Sequence, residues 1–185
     1  MLQPRQWCGE GHARSVVFRI VLALAMTACL GACQNDRPTP GTSEGPTATA
    51  NCGAVETFPI QGEGHLGGSQ EPPIAYNSTP PTSGWHSAED VPIVVSSEAD
   101  PLTEPQQVTV LELGGVVVSH GPLAPDDRVA LEELISDKFA GRAALTSYDA
   151  LAEGDIALTS WGVLQHCEAV DVPAIEAFIT AHLQR

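Results

Sequence analysis

Positive charge is scarce: eight Lys and Arg stand against 23 Asp and Glu, a formal net charge of −15. Phosphate binding needs a basic face, so a nucleic-acid partner is excluded. Aromatic residues are few, at 5%. With 17 glycines and 15 prolines, that predicts many turns around a modest core. Both methionines, Met1 and Met26, lie in an N-terminal stretch that reads as a targeting segment. The remainder therefore has no thioether, which excludes a Met-rich Cu(I) site and a blue-copper site with axial Met. No Cys-x-x-Cys spacing and no His-Glu-x-x-His helix is present, and the Gly-x-Ser-x-Gly spacing at 41–45 and the Gly-x-Gly-x-x-Gly spacing at 62–67 fall in turn-rich sequence without the strand-to-helix context that a nucleophile elbow or a phosphate loop needs. No complete catalytic constellation is visible, and a non-catalytic role is favoured.

Arg5, Arg14 and Arg19 precede an apolar run, Ile20 to Leu30, too short for a permanent membrane span. The run leads into Leu30-Gly31-Ala32-Cys33, which has the form of a bacterial lipobox. Residues 1–32 are accordingly expected to be a lipoprotein signal peptide. Cys33 is expected to be acylated and to hold the protein to the bilayer on the extracytoplasmic side of a bacterial membrane. Loss of three arginines and Glu10 with the signal takes the charge from −15 to −17. Such a chain is not drawn to anionic head groups, so the acyl chains must anchor it. Residues 33–51 comprise the lipidated cysteine and a Pro/Thr/Gly-rich tether of roughly 20–25 Å reach. Residues 52–185 form the single expected globular domain.

Within that domain only Cys52 and Cys167 remain, and an oxidising compartment predicts a disulfide between them. Its first half is turn-rich. Pro80-Pro81-Thr82-Ser83-Gly84 specifies a stiff loop, because prolines fix φ and Gly84 permits a sharp turn. Trp85 and His86 follow directly. The second half is more regular. Val91 to Ser96 reads as an edge strand, and Val108 to Leu113 and Gly115 to His120 as two more. Arg142 to Tyr148 and Asp155 to Trp161 read likewise. Helices are expected from Pro125 to Phe139 and from Pro173 to Leu183, the latter capped by Asp171. The fold class is α+β: a small mixed or antiparallel sheet with two helices and a long turn-rich N-terminal half.

Five histidines lie in this domain and could carry chemistry. His65 and His86 lie in polar, turn-rich segments and are the principal candidates. Glu112 and His120 are candidates to complete a site with them. On one regular strand these two would share a face, a parity that a bulge at Gly114-Gly115 would change. His166 is expected beside the disulfide and His182 on the flank of the last helix.

The ordered motifs, His65, Tyr76, Pro80-Pro81-Thr82-Ser83-Gly84-Trp85-His86, Leu111 to His120, Trp161-Gly162 and Cys167, resemble the bacterial domain of unknown function 3105. The resemblance implies a histidine-based site for a transition metal such as copper, in an envelope protein. His65 and His86 match family histidines. Where the family reads Leu-Glu-His-Gly this chain reads Leu111-Glu112-Leu113-Gly114, and His120 stands where tyrosine is frequent. Two imidazoles with a carboxylate or water would suit Cu(II) or Zn(II). The expected function is metal (copper or zinc) or small-ligand binding. The alternative is an envelope interaction or structural module with a vestigial metal site, displaying the Pro80–Trp85 loop to a protein partner.

Overall fold

The computed structural model describes residues 51–62 and 64–184. The signal, Cys33 and all of the tether but residue 51 lie outside them. The elements run β1 (Glu56–Thr57), β2 (Gly64–Leu66), β3 (Trp85–Ser87), α1 (Glu104–Glu112), β4 (Val116–His120), α2 (Pro125–Lys138), β5 (Ala143–Ser147), β6 (Ile156–Ser160), β7 (Val163–Cys167) and α3 (Val172–His182). A mixed sheet has the order β1-β7-β6-β4-β5, and β2 and β3 form a separate parallel pair. The class is α+β, as the sequence indicates.

β4 and β5 run parallel, joined through α2, while β6 is antiparallel to β4 and to β7. A sheet covered on both faces needs apolar residues at consecutive positions, which explains the run Val116-Val117-Val118. Val116 and Val118 join the core shared with α2 and α3. Val117 faces the other way, into a smaller core with Val110 and Leu111 of α1. In α2, Leu131, Leu134 and Ile135 are buried, while in α3 Ile175, Phe178 and Ile179 are. The Asp171 carboxylate caps α3 by accepting from Ala174 N. Lys138, outside the buried stripe, pairs with Glu176 across the two helices.

Four expectations are corrected. Val108 to Leu113 is not a strand: residues up to Glu112 belong to α1, a third helix. Its β-branched residues suggest β structure, but a helix buried between the sheet and the β2–β3 pair also reads as a continuous apolar run. The start signal is Thr103-x-x-Gln106, a capping box with Pro105 in the first turn. Gly114 (φ 83°) ends the helix rather than forming a bulge, so the strand-parity argument for Glu112 and His120 does not apply. Val91 to Ser96 makes only a single parallel bridge, Val95 to Leu145. Finally, the turn-rich half supplies β1, β2 and β3, and β7 follows β6 after a tight turn at Trp161-Gly162, where Gly162 takes φ 70°.

Cys52 and Cys167 are disulfide-bonded across 115 residues, joining the first described residues to the end of β7.

Candidate functional site

The Pro80–Gly84 loop is the frame of the site, and it is buried throughout. A buried loop must satisfy its polar groups internally. Thr82 O accepts from Gly162 N at 2.9 Å, fastening the loop to the β6–β7 turn. Ser83 Oγ accepts from Gln61 N at 3.0 Å. The Ser78 and Thr82 hydroxyls meet at 3.1 Å. Tyr76 OH donates to Trp85 O at 2.6 Å. Burial, with a smaller effect of the Glu104 carboxylate, pushes the Tyr76 phenol up to about 12, so it stays a donor. The Pro80–Gly84 loop is therefore bonded into the interior. It is an internal support that delivers β3.

β3 pairs in parallel with β2, in a register that sets His65 opposite His86. Gly64 lies under the Trp85 indole, where an added Cβ would collide with the ring. The close approach of the two strands thus requires glycine there. The His65 and His86 rings meet edge to face, with centroids 4.5 Å apart. His65 is exposed; His86 is only 1% exposed.

The third side chain comes from α1. Thr109 Oγ1 accepts from Ser87 N at 3.0 Å and fixes the helix against β3. Gln107 is buried; its Oε1 accepts from the Ser119 hydroxyl and its Nε2 donates to Leu102 O, fixing the helix against β4. The last helical residue, Glu112, then sets Oε2 3.0 Å from His86 Nε2. Its side chain is 38% exposed, so the group opens to solvent through Glu112 and His65.

The protonation pattern follows from the other ring nitrogen. His86 Nδ1 lies 3.2 Å from Gly84 O. A carbonyl only accepts, so Nδ1 carries a proton, and whenever the ring is neutral its lone pair is at Nε2. Nε2 is buried and makes no hydrogen bond, although Glu112 Oε2 lies 3.0 Å away. A lone pair and a carboxylate at this distance repel unless a proton or a cation lies between them. Among the described residues no group of three His, Cys, Asp or Glu is arranged to hold a metal ion. What the geometry supplies is a fixed nitrogen donor, a neighbouring carboxylate and an accessible second imidazole.

His120 does not join this group. Val117 and Ser119 of β4 face α1, and alternation turns His120 to the α2 face. It also lies beyond the other end of α1: Tyr148 N donates to His120 O, while Tyr148 OH reaches Glu104 in the first helical turn. Eight residues of helix, about 12 Å, separate Glu104 from Glu112. Leu113 is the C-cap of α1 and 64% exposed. His166 is exposed rather than packed around the disulfide, though its carbonyl accepts from Gly53 N. His182 is half-buried against the Phe178 ring, its Nε2 is unpaired, and burial lowers its pKa.

No curated protein and no solved structure matches the chain. Residues 69–185, well over half the chain, match the family model described as "Protein of unknown function (DUF3105)". The match includes His86, Glu112, Leu113 and His120 and begins after His65. The chain belongs to this family of proteins of unknown function, DUF3105.

Proposed function

We propose that this is an extracytoplasmic lipoprotein, anchored through acylated Cys33, whose domain binds a divalent transition metal, Cu(II) or Zn(II), at His86. The observation that carries the reading is the buried, unpaired Nε2 of His86 facing the Glu112 carboxylate. Buried polar atoms are normally paired, and an orphan of this kind calls for a ligand. Metal-binding imidazoles commonly donate their other N–H to a backbone carbonyl or a carboxylate, as His86 does to Gly84. His86 and Glu112 provide the fixed donors. His65, exposed beside them, turns in to complete the set with water. The disulfide fits an oxidising compartment. The acidic chain raises the local concentration of cations.

Titration of the protein with Cu(II) and with Zn(II) tests this. The expected result is one equivalent bound, lost in the double variant His65→Ala/His86→Ala. Leu113→His adds an imidazole beside Glu112 in the chain and is expected to tighten binding. Equal binding by the wild type and the double variant would overturn the reading. Absence of binding in both would favour the vestigial alternative, for which the exposed Leu113 at the family's histidine position speaks.

A further inference from the structure

A second group of polar side chains lies away from His86, where β4 and β5 end. These are the parallel neighbours of the sheet, and crevices beyond the carboxyl ends of parallel strands are where such sheets receive ligands. His120, the last residue of β4, is 2% exposed. Its Nδ1 lies 2.7 Å from Gly121 O and so carries the proton. Nε2 is left as a free acceptor without a hydrogen bond, and the ring lines a cavity of about 210 Å³ with Glu98, Ser147, Tyr148 and Asp149. Burial, helped by the nearby Arg128 guanidinium, lowers the His120 pKa, outweighing the Gly121 carbonyl and the Glu98 and Glu132 carboxylates, which raise it, so the ring is a neutral acceptor at pH 7. Glu98 is committed to Arg128, at 2.7 Å. Asp149 has no such partner and is exposed.

The cavity adjoins a second hollow of about 340 Å³ across Ser147, Tyr148 and Asp149. Pro101, Leu102 and Ala150 give it apolar walls, and Glu104 stands in it. The Tyr148 hydroxyl donates to Glu104 Oε1 at 2.5 Å, and burial together with that bond raises the Tyr148 pKa, keeping the proton on the phenol. One Glu104 oxygen is thereby held in place and the other is free.

The two hollows thus share Ser147, Tyr148 and Asp149, with the His120 acceptor in one and the Glu104 carboxylate and aliphatic walls in the other. Anions are unsuited to this crevice. An ammonium group donates in three directions and tolerates looser geometry than a coordinated metal. We propose that this crevice binds a linear alkyl diamine, one ammonium at His120 Nε2 and Asp149 and the other at Glu104.

The test is titration of the protein with 1,5-diaminopentane, pentylamine and 1,5-pentanediol at near-physiological salt. Calorimetry and the ¹⁵N shifts of the His120 ring are read together. Saturable diamine binding that moves His120 Nε2 is expected, with pentylamine about tenfold weaker, in line with the loss of one charged contact, and the diol silent. Glu104→Gln keeps an acceptor for Tyr148 and should reduce the diamine to the affinity of pentylamine while leaving pentylamine unchanged. Asp149→Asn, at an exposed position, should weaken both amines. Equal affinity for diamine and monoamine, binding that leaves the His120 ring unmoved, or indifference to both substitutions would overturn the proposal.

Discussion

Residues 104–184 and residues 51–103 hold themselves together by different means. The later region buries aliphatic and aromatic side chains on both faces of a five-stranded sheet, with Phe178, Ile175 and Leu131 fully enclosed. The earlier region lends that sheet only the two-residue edge strand β1; otherwise it has two short parallel strands and a proline loop, and beside Cys52, Leu66 and Val91 it buries the polar Ser78, Thr82, Ser83 and His86. Apolar burial is non-directional and tolerates exchange of shape, whereas buried polar groups must each find a partner. The first region therefore fixes the fold and the second fixes side-chain direction. In a region where the loop's buried polar atoms are bonded, the unpaired His86 Nε2 marks the place where a ligand belongs.

The contrast can be broken from either side. The largest effect is expected from Phe178→Ala, about 3–5 kcal/mol of global stability, from lost burial and the cavity left behind. Denaturant unfolding should show it as a shifted midpoint with unchanged cooperativity. Ser83→Ala removes the acceptor of Gln61 N from a buried loop and should cost about 1–3 kcal/mol. Hydrogen exchange should locate that loss in the segments around Gln61 and His86, with α3 unaffected. If both variants loosened the whole molecule alike, the division into a fold-fixing and a site-fixing region would be wrong.

The smallest effect is a pH dependence. Burial lowers the folded-state pKa of His182 below 6.5, so the unfolded chain binds more protons beneath that value. The stability is then full above about pH 6.5 and is lost as pH falls through the folded pKa. His120 adds to the same slope, again through burial. His182→Phe keeps the aromatic contact with Phe178 and removes the proton site. Its unfolding free energy should fall less steeply between about pH 6.5 and 5 than that of the parent protein. Equal slopes would place the acid sensitivity elsewhere.

What could be read from the chain follows the same division. α2 and α3 announce themselves through periodic apolar residues and through Asp126, Asp127 and Asp171 near their starts, and β4, β5 and β6 through valine- or alanine-rich runs. α1 was hidden because it is enclosed on two sides: Val108-Thr109-Val110-Leu111 carries no polar stripe, and only Thr103 and Gln106 betray a helix start. The β2–β3 pair was hidden because its strands are three residues each, set by long-range partners such as Trp85 on Gly64 rather than by local pattern. His65 and His86 were legible as polar residues in turn-rich sequence, as was the stiffness of the loop before His86. That the loop is internal was not, since prolines and hydroxyl residues read as surface until Gly162 and Gln61 are seen to satisfy them. The separation of His120 from Glu112 depends on α1 being a helix, and so was lost with it.

The central claim is that His86 offers an unprotonated Nε2, held by the Gly84 carbonyl, to a metal ion. Long-range ¹H–¹⁵N correlation spectra of the histidine rings, recorded as Zn(II) is added, test it directly. The account predicts a His86 ring protonated at Nδ1 in the metal-free protein, and a large Nε2 shift that saturates at one equivalent and disappears in Glu112→Ala. A ring protonated at Nε2, or one that zinc leaves unmoved, would contradict it.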